Sequence, residues 1–295
     1  MSMSLANIIP GDWRRWATTQ PAVIRQLLGG LTNHSYLINA DNTLLVLRKN
    51  SAISGALNLN RKAETQALNH ANKARLCAPL VYTDPQQQYM VSCYLGDSTW
   101  SANTPNSLAQ LALLLRSIHQ LPSIQAKLNL DDKIAYYLAA MLDHAEFTEQ
   151  FNILRTKIQP HISSAMTLNT GDVLCHNDLL ASNLINKAGE LFAIDWEYAA
   201  MGDPFYELAV IIEGNKLDAD QQQALLTKYL DRPLAQRDWQ RLHHWKIIYG
   251  YLCVLWYGVQ YCAGAMNQAS TAREIAAQIR ALNAFISNET QSKRK

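Results

Sequence analysis

Apolar positions fall in short runs through the first third of the chain and at helical spacing through most of the rest. Runs at 23–28, 35–38 and 44–47, parted by Gly29-Gly30 and Asp41-Asn42, predict three successive antiparallel strands. A helix over 59–75 follows. Runs at 80–83 and 89–94 then flank Asp84-Pro85-Gln86 as a second hairpin. After Leu95-Gly96-Asp97 the period changes. Leu108, Leu111, Leu115 and Ile118 share one face of a helix over 105–120, with Pro105 in its first turn and Pro122 beyond its end. Further helices are predicted over 131–144 and over 146–159, the second stopped by Pro160. Asp203-Pro204 reads as cap and first-turn proline of a helix running to Gly214. Others start near Asp218 and cover 239–263 and 271–287, and Trp13 to Trp16 suggest a short helix near the start. The fold class is therefore α+β: a small N-terminal lobe (1–95) built on an antiparallel sheet, and a larger, mainly helical C-terminal lobe (96–295). A ligand is expected in the crevice between them.

Residues 173–204 interrupt the helices. A short strand at 173–175 leads into a polar loop with His176, Asn177 and Asp178, and a second strand follows Asn183. Lys187-Ala188-Gly189 signals a turn, and the run 191–194 ends on Asp195. Asn183 and Asp195 each lie six residues from Gly189, so a hairpin centred there sets them opposite one another. Paired Cα atoms are then roughly 4.5–5.5 Å apart. Two oxygen-bearing side chains converge, with Asp178 beside them, an arrangement suited to Mg²⁺.

Two features of the small lobe bear on the same chemistry. Gly29-Gly30-Leu31-Thr32-Asn33 is either a plain turn or a flap whose backbone amides approach phosphates; no G-x-G-x-x-G is present. Arg48 closes the third strand and Glu64 lies on the next helix. This is a pairing that phosphate sites use, though surface residues show it as well.

Composition narrows the partners. With 48% hydrophobic and 17% charged residues and a formal net charge of +2, the 295-residue chain is an ordinary globular protein with no basic patch for nucleic acid. No apolar run approaches the roughly 18 residues of a membrane span, and the start lacks a signal-peptide pattern. The five cysteines are odd in number and widely spaced, which predicts reduced core residues of a cytoplasmic protein. The oligomeric state is open.

HNDLLASN fits the H-x-D-x-x-x-x-N catalytic loop of protein-kinase-like folds, and the Asp of IDW, twelve residues after Asn183, occupies the place of the metal-binding Asp in D-F-G. The wording HNDLL, IDWEYA and, near the C-terminus, LWYGVQ resembles the choline/ethanolamine kinase and bacterial thiamine kinase branch of the aminoglycoside phosphotransferase-like superfamily. The resemblance runs along nearly the whole chain, with its specific motifs in the central stretch. It implies a bilobal protein-kinase-like fold and an ATP- and Mg²⁺-dependent kinase for a small-molecule alcohol. Asp178 would be the catalytic Asp that accepts the proton of the attacking hydroxyl, and Asn183 and Asp195 the metal ligands. Arg48, where many kinases carry Lys and the choline kinase branch has Arg, would contact phosphate and pair with Glu64. Gly30, Leu31, Thr32 and Asn33 would form the phosphate flap. Ser92 and Tyr94 belong to a segment resembling the hinge that receives adenine.

The remaining residues carry two readings each. His176 braces the loop rather than acting as a base, and His119 is structural. Asp203 is a cap, in a position resembling one that steadies the catalytic loop. Glu197 and Tyr198 either shape the acceptor site or pack the turn. Trp245, Tyr249 and Trp256 share a helix face that is either core or a cage for a cationic alcohol such as choline or thiamine. Glu207 and Glu213 are possible sources of added attraction. The alternatives are an aminoglycoside-type phosphotransferase, which such an aromatic wall disfavours, and a nucleotide-binding pseudokinase, which the intact Asp178, Asn183 and Asp195 disfavour.

Overall fold

The computed structural model describes residues 8–28, 32–51, 55–141 and 145–292, with side chains in the last segment from 147 to 287. Strands β1 (Ala22–Leu27), β2 (Asn33–Ala40) and β3 (Thr43–Asn50) form the antiparallel meander expected from the alternating runs. Helix α1 (Arg61–Lys73) follows, and β4 (Leu80–Thr83) and β5 (Tyr89–Cys93) complete a five-stranded sheet in the order β1-β2-β3-β5-β4. One sheet face buries Tyr36, Ile38, Leu45, Leu47 and Val91 against Ile8 and Ala17 from the N-terminal segment. Trp13–Arg15 of that segment form a short 3₁₀ turn.

The other core is larger. Ala63, Ala67 and Ala71 of α1 join the same apolar cluster as the helices of the second half, so α1 couples the sheet to the helical part. Those helices are α2 (Ser107–His119), α3 (Leu130–Ala139) and α4 (Ala145–Leu168). Pro105 precedes α2, which starts after a left-handed Asn106 (φ 61°). The end expected for α3 near His144 falls outside the described residues; the helix itself ends at Ala139. Pro160 does not stop α4. The helix continues to Leu168 because Phe151, Leu154, Ile158, Ile162 and Ala165 form one buried stripe across it. An internal proline costs about 3 kcal/mol, whereas each large apolar side chain buried contributes about 1.5–3 kcal/mol.

Next come β6 (Val173–Cys175), β7 (Leu184–Lys187), β8 (Glu190–Ala193) and β9 (Ala200–Gly202). β6 pairs with β9 and β7 with β8, as two small antiparallel ribbons. The β7–β8 hairpin is pinned on both flanks: Ala193 N donates to Leu76 O at 2.9 Å and Trp100 N to Leu184 O at 2.9 Å. The chain ends in α5 (Pro204–Gly214), α6 (Ala219–Leu230), α7 (Gln236–Cys262) and α8 (Gln268–Ser292). α7 packs against α4, α5, α8 and α3. None of the described helices is long and apolar enough to cross a membrane. None of the five cysteines forms a disulfide.

Asp203 ties α5 to α7. Its Oδ1 caps α5 by accepting from Phe205 N at 2.8 Å, and it receives Arg241 Nη2 at 2.6 Å. Its Oδ2 takes Arg241 Nε at 3.1 Å and the Trp245 indole at 3.0 Å. Removing one partner of a buried pair strands the other charge, at a cost of about 3–5 kcal/mol. Asp203→Ala is therefore expected to lower unfolding free energy by about that amount in urea titrations, and Asp203→Asn, which keeps the cap, by clearly less.

Candidate functional site

The loop between β6 and β7 is held from three sides. His176 is fully buried; its Nε2 donates to Ile194 O at 3.0 Å and its Nδ1 accepts from Asp178 N at 3.3 Å. Burial lowers its pKa, and both ring nitrogens are engaged, so it is a neutral brace, as expected. Asn177 adopts the left-handed region (φ 65°), which Asn tolerates better than most residues. Its N donates to Glu207 Oε1 at 2.8 Å and its Nδ2 to Tyr198 O at 3.0 Å. Glu207, on α5, is wholly buried, and its other oxygen accepts from His119 Nε2 at 2.6 Å. Glu207 thus shapes the loop and faces no acceptor. Glu213 pairs with Lys246 at 2.8 Å, on the outside of α5. His119 is structural, as read from the sequence.

The turn of the β7–β8 hairpin occupies Ala188 (φ 52°) and Gly189 (φ 86°), both in the left-handed region. The symmetry centre therefore falls between them rather than on Gly189. Leu184 pairs with Ala193, and the expected pairing of Asn183 with Asp195 is off by one: Ile194 N bonds Asn183 O at 2.9 Å. Asp195 reaches the same place by another route. It stands one residue past the ladder with φ 63°, an unusual value for a non-glycine residue, and it shares a cavity with Asn183 and Asp178.

Asn183 Nδ2 donates to Asp178 O and to Asp178 Oδ2, each at 2.8 Å, which turns its amide oxygen away from Asp178. Asp195 gives Oδ1 to Arg48 Nη1 at 2.7 Å, and its Oδ2 accepts no hydrogen bond among the described residues. Burial raises the Asp178 carboxyl well above its ordinary value, and Asp195 and Glu197 push it further. Burial also raises Asp195, against the pull of Arg48. An amide oxygen and a carboxylate oxygen beside a second acid are hard donors of the kind Mg²⁺ takes.

Arg48 joins this group to the sheet. Its Nη2 lies 2.5 Å from Glu64 Oε1, and both side chains are buried. Burial would raise Glu64, but Arg48 and Arg61 outweigh it and hold the carboxyl below its ordinary value. Arg61 was not singled out from the sequence. Its Nη1 contacts Glu64 Oε2 at 2.7 Å and Glu197 Oε2 at 3.0 Å, and its Nη2 donates to Asn33 Oδ1 at 3.1 Å. The available signal was its position three residues ahead of Glu64, one helical turn. Glu197 also accepts from Asn33 Nδ2 at 2.7 Å and from the Thr32 hydroxyl. So Thr32 and Asn33 of the glycine segment are brought to the site by their side chains, while Gly30 and Leu31 lie outside the described residues. Burial and Asp195 raise the Glu197 carboxyl.

Asp178, Asn183, Asp195 and Glu197 line one cavity of about 560 Å³. Its other wall is aromatic: Tyr137 from α3, Tyr198, Tyr206 from α5, and Tyr249, Trp256 and Tyr257 from α7. The Trp256 indole donates to Tyr198 Oη at 2.9 Å, so Tyr198 belongs to this wall. Trp245 does not. It is buried, bonds Asp203 and packs its ring 5.4 Å from that of Tyr206, so it supports the wall from behind as core. Tyr137, Tyr206 and Lys133 line the cavity and were missed, since nothing in their own segments separates them from core or surface positions. Ser92 and Tyr94 do not line it. Ser92 is paired between Val46 and Leu80, and Tyr94 N donates to Leu44 O at 3.1 Å.

Residues 23–245 match the phosphotransferase enzyme family. Protein LicA of Haemophilus influenzae is 27% identical over 220 residues, 70% of this chain and 62% of that protein, so the match spans less than two thirds of the relative. Among solved structures, a choline/ethanolamine kinase family protein from Mesorhizobium loti superposes with a TM-score of 0.73 at 24% identity, covering 94% of this chain and 92% of that one. The choline kinase LicA from Streptococcus pneumoniae gives a TM-score of 0.73 at 20% identity, covering 88% and 95%. At these identities the superpositions establish the shared kinase-like fold.

Glu197 is the joint between Thr32 and Asn33, α1 and the wall of the cavity. Glu197→Ala leaves Arg61 and Asn33 short of a buried acceptor. It is expected to cost about 1–3 kcal/mol in chemical denaturation and to raise the KM for nucleotide about tenfold in steady-state kinetics.

Proposed function

The chain belongs to the phosphotransferase enzyme family, and from that premise we propose that it transfers the γ-phosphoryl group of ATP to the hydroxyl of a small cationic alcohol, choline/ethanolamine or thiamine. One observation carries this reading: Asp178 and the oxygen donors Asn183 and Asp195 share a single cavity with five tyrosines and Trp256. The acidic end suits phosphoryl transfer, and aromatic faces attract a cation by their ring quadrupoles. An aminoglycoside, rich in amines, is disfavoured by a wall built mainly of aromatic rings.

Asp178 accepts the proton of the acceptor hydroxyl as that oxygen bonds to the γ-phosphorus and the bond to the β,γ-bridging oxygen breaks, releasing ADP. Its raised pKa makes it a better proton acceptor than an exposed carboxylate. Asn183 Nδ2 orients it by holding Oδ2. Asn183 and Asp195 are the residues that would hold Mg²⁺, whose chemistry is to neutralise charge on the transferring phosphate. Arg48, fixed between Glu64 and Asp195, keeps Asp195 in place and offers a guanidinium near phosphate oxygens. Thr32 and Asn33 are tied to Glu197 beside these residues, where they would approach the nucleotide phosphates.

The test is ADP release with ATP and Mg²⁺ against choline, ethanolamine, thiamine and an aminoglycoside. One cationic alcohol is expected to be turned over well above the others. Asp178→Ala should lower kcat by about 10²–10⁴-fold with the KM for ATP little changed, and full turnover by this variant would sink the mechanism. Trp256→Ala, which removes a ring of the wall and the partner of Tyr198, should raise the acceptor KM about tenfold while leaving that for ATP alone.

A further inference from the structure

The aromatic wall already carries a cation. Lys133 lies on α3, one turn ahead of Tyr137, and lines the cavity that holds Asp178. Its ammonium donates to Leu57 O at 2.8 Å. It stands 4.7 Å from the ring centroid of Tyr137 and 5.6 Å from that of Tyr198. Among the described residues no carboxylate comes within ion-pair distance of it. Glu197, whose charge acts on it, is engaged by Thr32, Asn33 and Arg61. Burial lowers the Lys133 pKa to about 8, with Glu197 opposing, so the group is largely protonated at neutral pH.

A cation within about 6 Å of a ring centroid is how aromatic residues hold a cationic ligand. On Tyr137 and Tyr198 the chain supplies that cation itself. Tyr206, Tyr249, Trp256 and Tyr257 line the same cavity, and among the described residues no lysine or arginine stands over their rings. A second positive charge about 6 Å from Lys133, at an effective dielectric near 20, would bind about a hundredfold more weakly than without it. Solvent and movement of the lysine chain reduce this, and at least tenfold is expected to remain.

We propose that Lys133 determines acceptor selectivity: it withholds the Tyr137 and Tyr198 faces from a second cation, so the chain favours an acceptor whose charge is spread over a ring and stands away from its hydroxyl. A compact quaternary ammonium two carbons from the hydroxyl is disfavoured. The inference rests on the phosphotransferase reading above for its meaning, but its electrostatic basis can be measured without turnover. Two blander roles compete with it. A strut to Leu57 would affect stability and not selectivity, and a grip on phosphate oxygens would affect every acceptor alike.

The experiment uses the full chain as wild type, Lys133→Met, Lys133→Gln and Lys133→Arg, each checked for folding by its urea midpoint. Tetramethylammonium chloride is titrated against tryptophan fluorescence at constant ionic strength. The Met and Gln variants should bind this probe at least tenfold more tightly than wild type, and the Arg variant as weakly as wild type. Affinities equal within twofold would overturn the proposal. Gln keeps a donor for Leu57, so at least one neutral variant is expected to fold with a wild-type midpoint. In turnover, the ratio of kcat/KM for choline to that for thiamine should rise at least tenfold in Lys133→Met. An unchanged ratio, or an equal loss on both alcohols, also counts against it. If wild type phosphorylates none of choline, ethanolamine and thiamine, the proposed kinase reading fails, and the probe titration still decides whether Lys133 excludes a second cation.

Discussion

The site depends on one buried guanidinium. Arg48 leaves the third strand of the sheet and is gripped by Glu64 of α1 and by Asp195 at the end of the β7–β8 hairpin. Taking an arginine out of water is costly unless its charge is met. Meeting it here requires that strand, helix and hairpin arrive together, so the pair fixes the sheet on the helical part. The same contact occupies one oxygen of Asp195 and leaves the other toward the cavity. Arg61 repeats the arrangement one step out, joining Glu64 to Glu197 and so to Thr32 and Asn33. Thr32 and Asn33, α1 and the acidic loop therefore form one connected network of polar and charged groups.

Much of this was legible in the sequence. The strands, the central helices and the order of the loop His176, Asp178, Asn183 and Asp195 all show in local patterns. Short apolar runs punctuated by polar residues give way to helical spacing. The Arg48–Glu64 pair was legible only as a pairing that kinases use; its closure on Asp195 joins residues 147 positions apart. The misreadings have local physical causes. Placing the centre of the hairpin on Gly189 counted one left-handed residue where there are two, which slid Asn183 off Asp195. Pro160 was treated as a stop because its penalty is local, while the buried stripe that outweighs it is tertiary.

The acceptor wall was the least legible part. Helical spacing put Trp245, Tyr249 and Trp256 on one face, and that is correct, but spacing cannot say where along the helix core ends and cavity begins. Trp245 is sealed by Asp203 and Tyr206, whereas Tyr249 and Trp256, one and three turns on, reach the cavity. The other rings come from three separate stretches: Tyr137 on α3, Tyr198 after Asp195, and Tyr206 in the first turn of α5. Glu207 misleads in the same way. It is an acid next to a cavity residue on a helix, and helix geometry turns it the other way, onto the Asn177 amide and His119.

Charge balance links the two ends of the cavity. In and beside the cavity stand Asp132, Asp178, Asp195, Glu197 and Glu64 with Lys127, Lys133, Arg48 and Arg61, five acids and four cations. Arg48 and Arg61 are locked between acids, whereas Lys133 has no carboxylate bound to it among the described residues. The acids are correspondingly strained: burial and mutual repulsion raise Asp178, Asp195 and Glu197 together. A site in this state is attractive to added positive charge near the acids and resistant to it near Lys133. Attraction toward a cation is therefore graded across the cavity, strongest beside Asp178 and Asp195 and weakest over Tyr137. On the proposed reading, an acceptor that binds by its hydroxyl at Asp178 points its own positive charge along that gradient, toward Tyr249 and Trp256, so that the position of charge within the acceptor, and not its presence alone, is the property the wall would read.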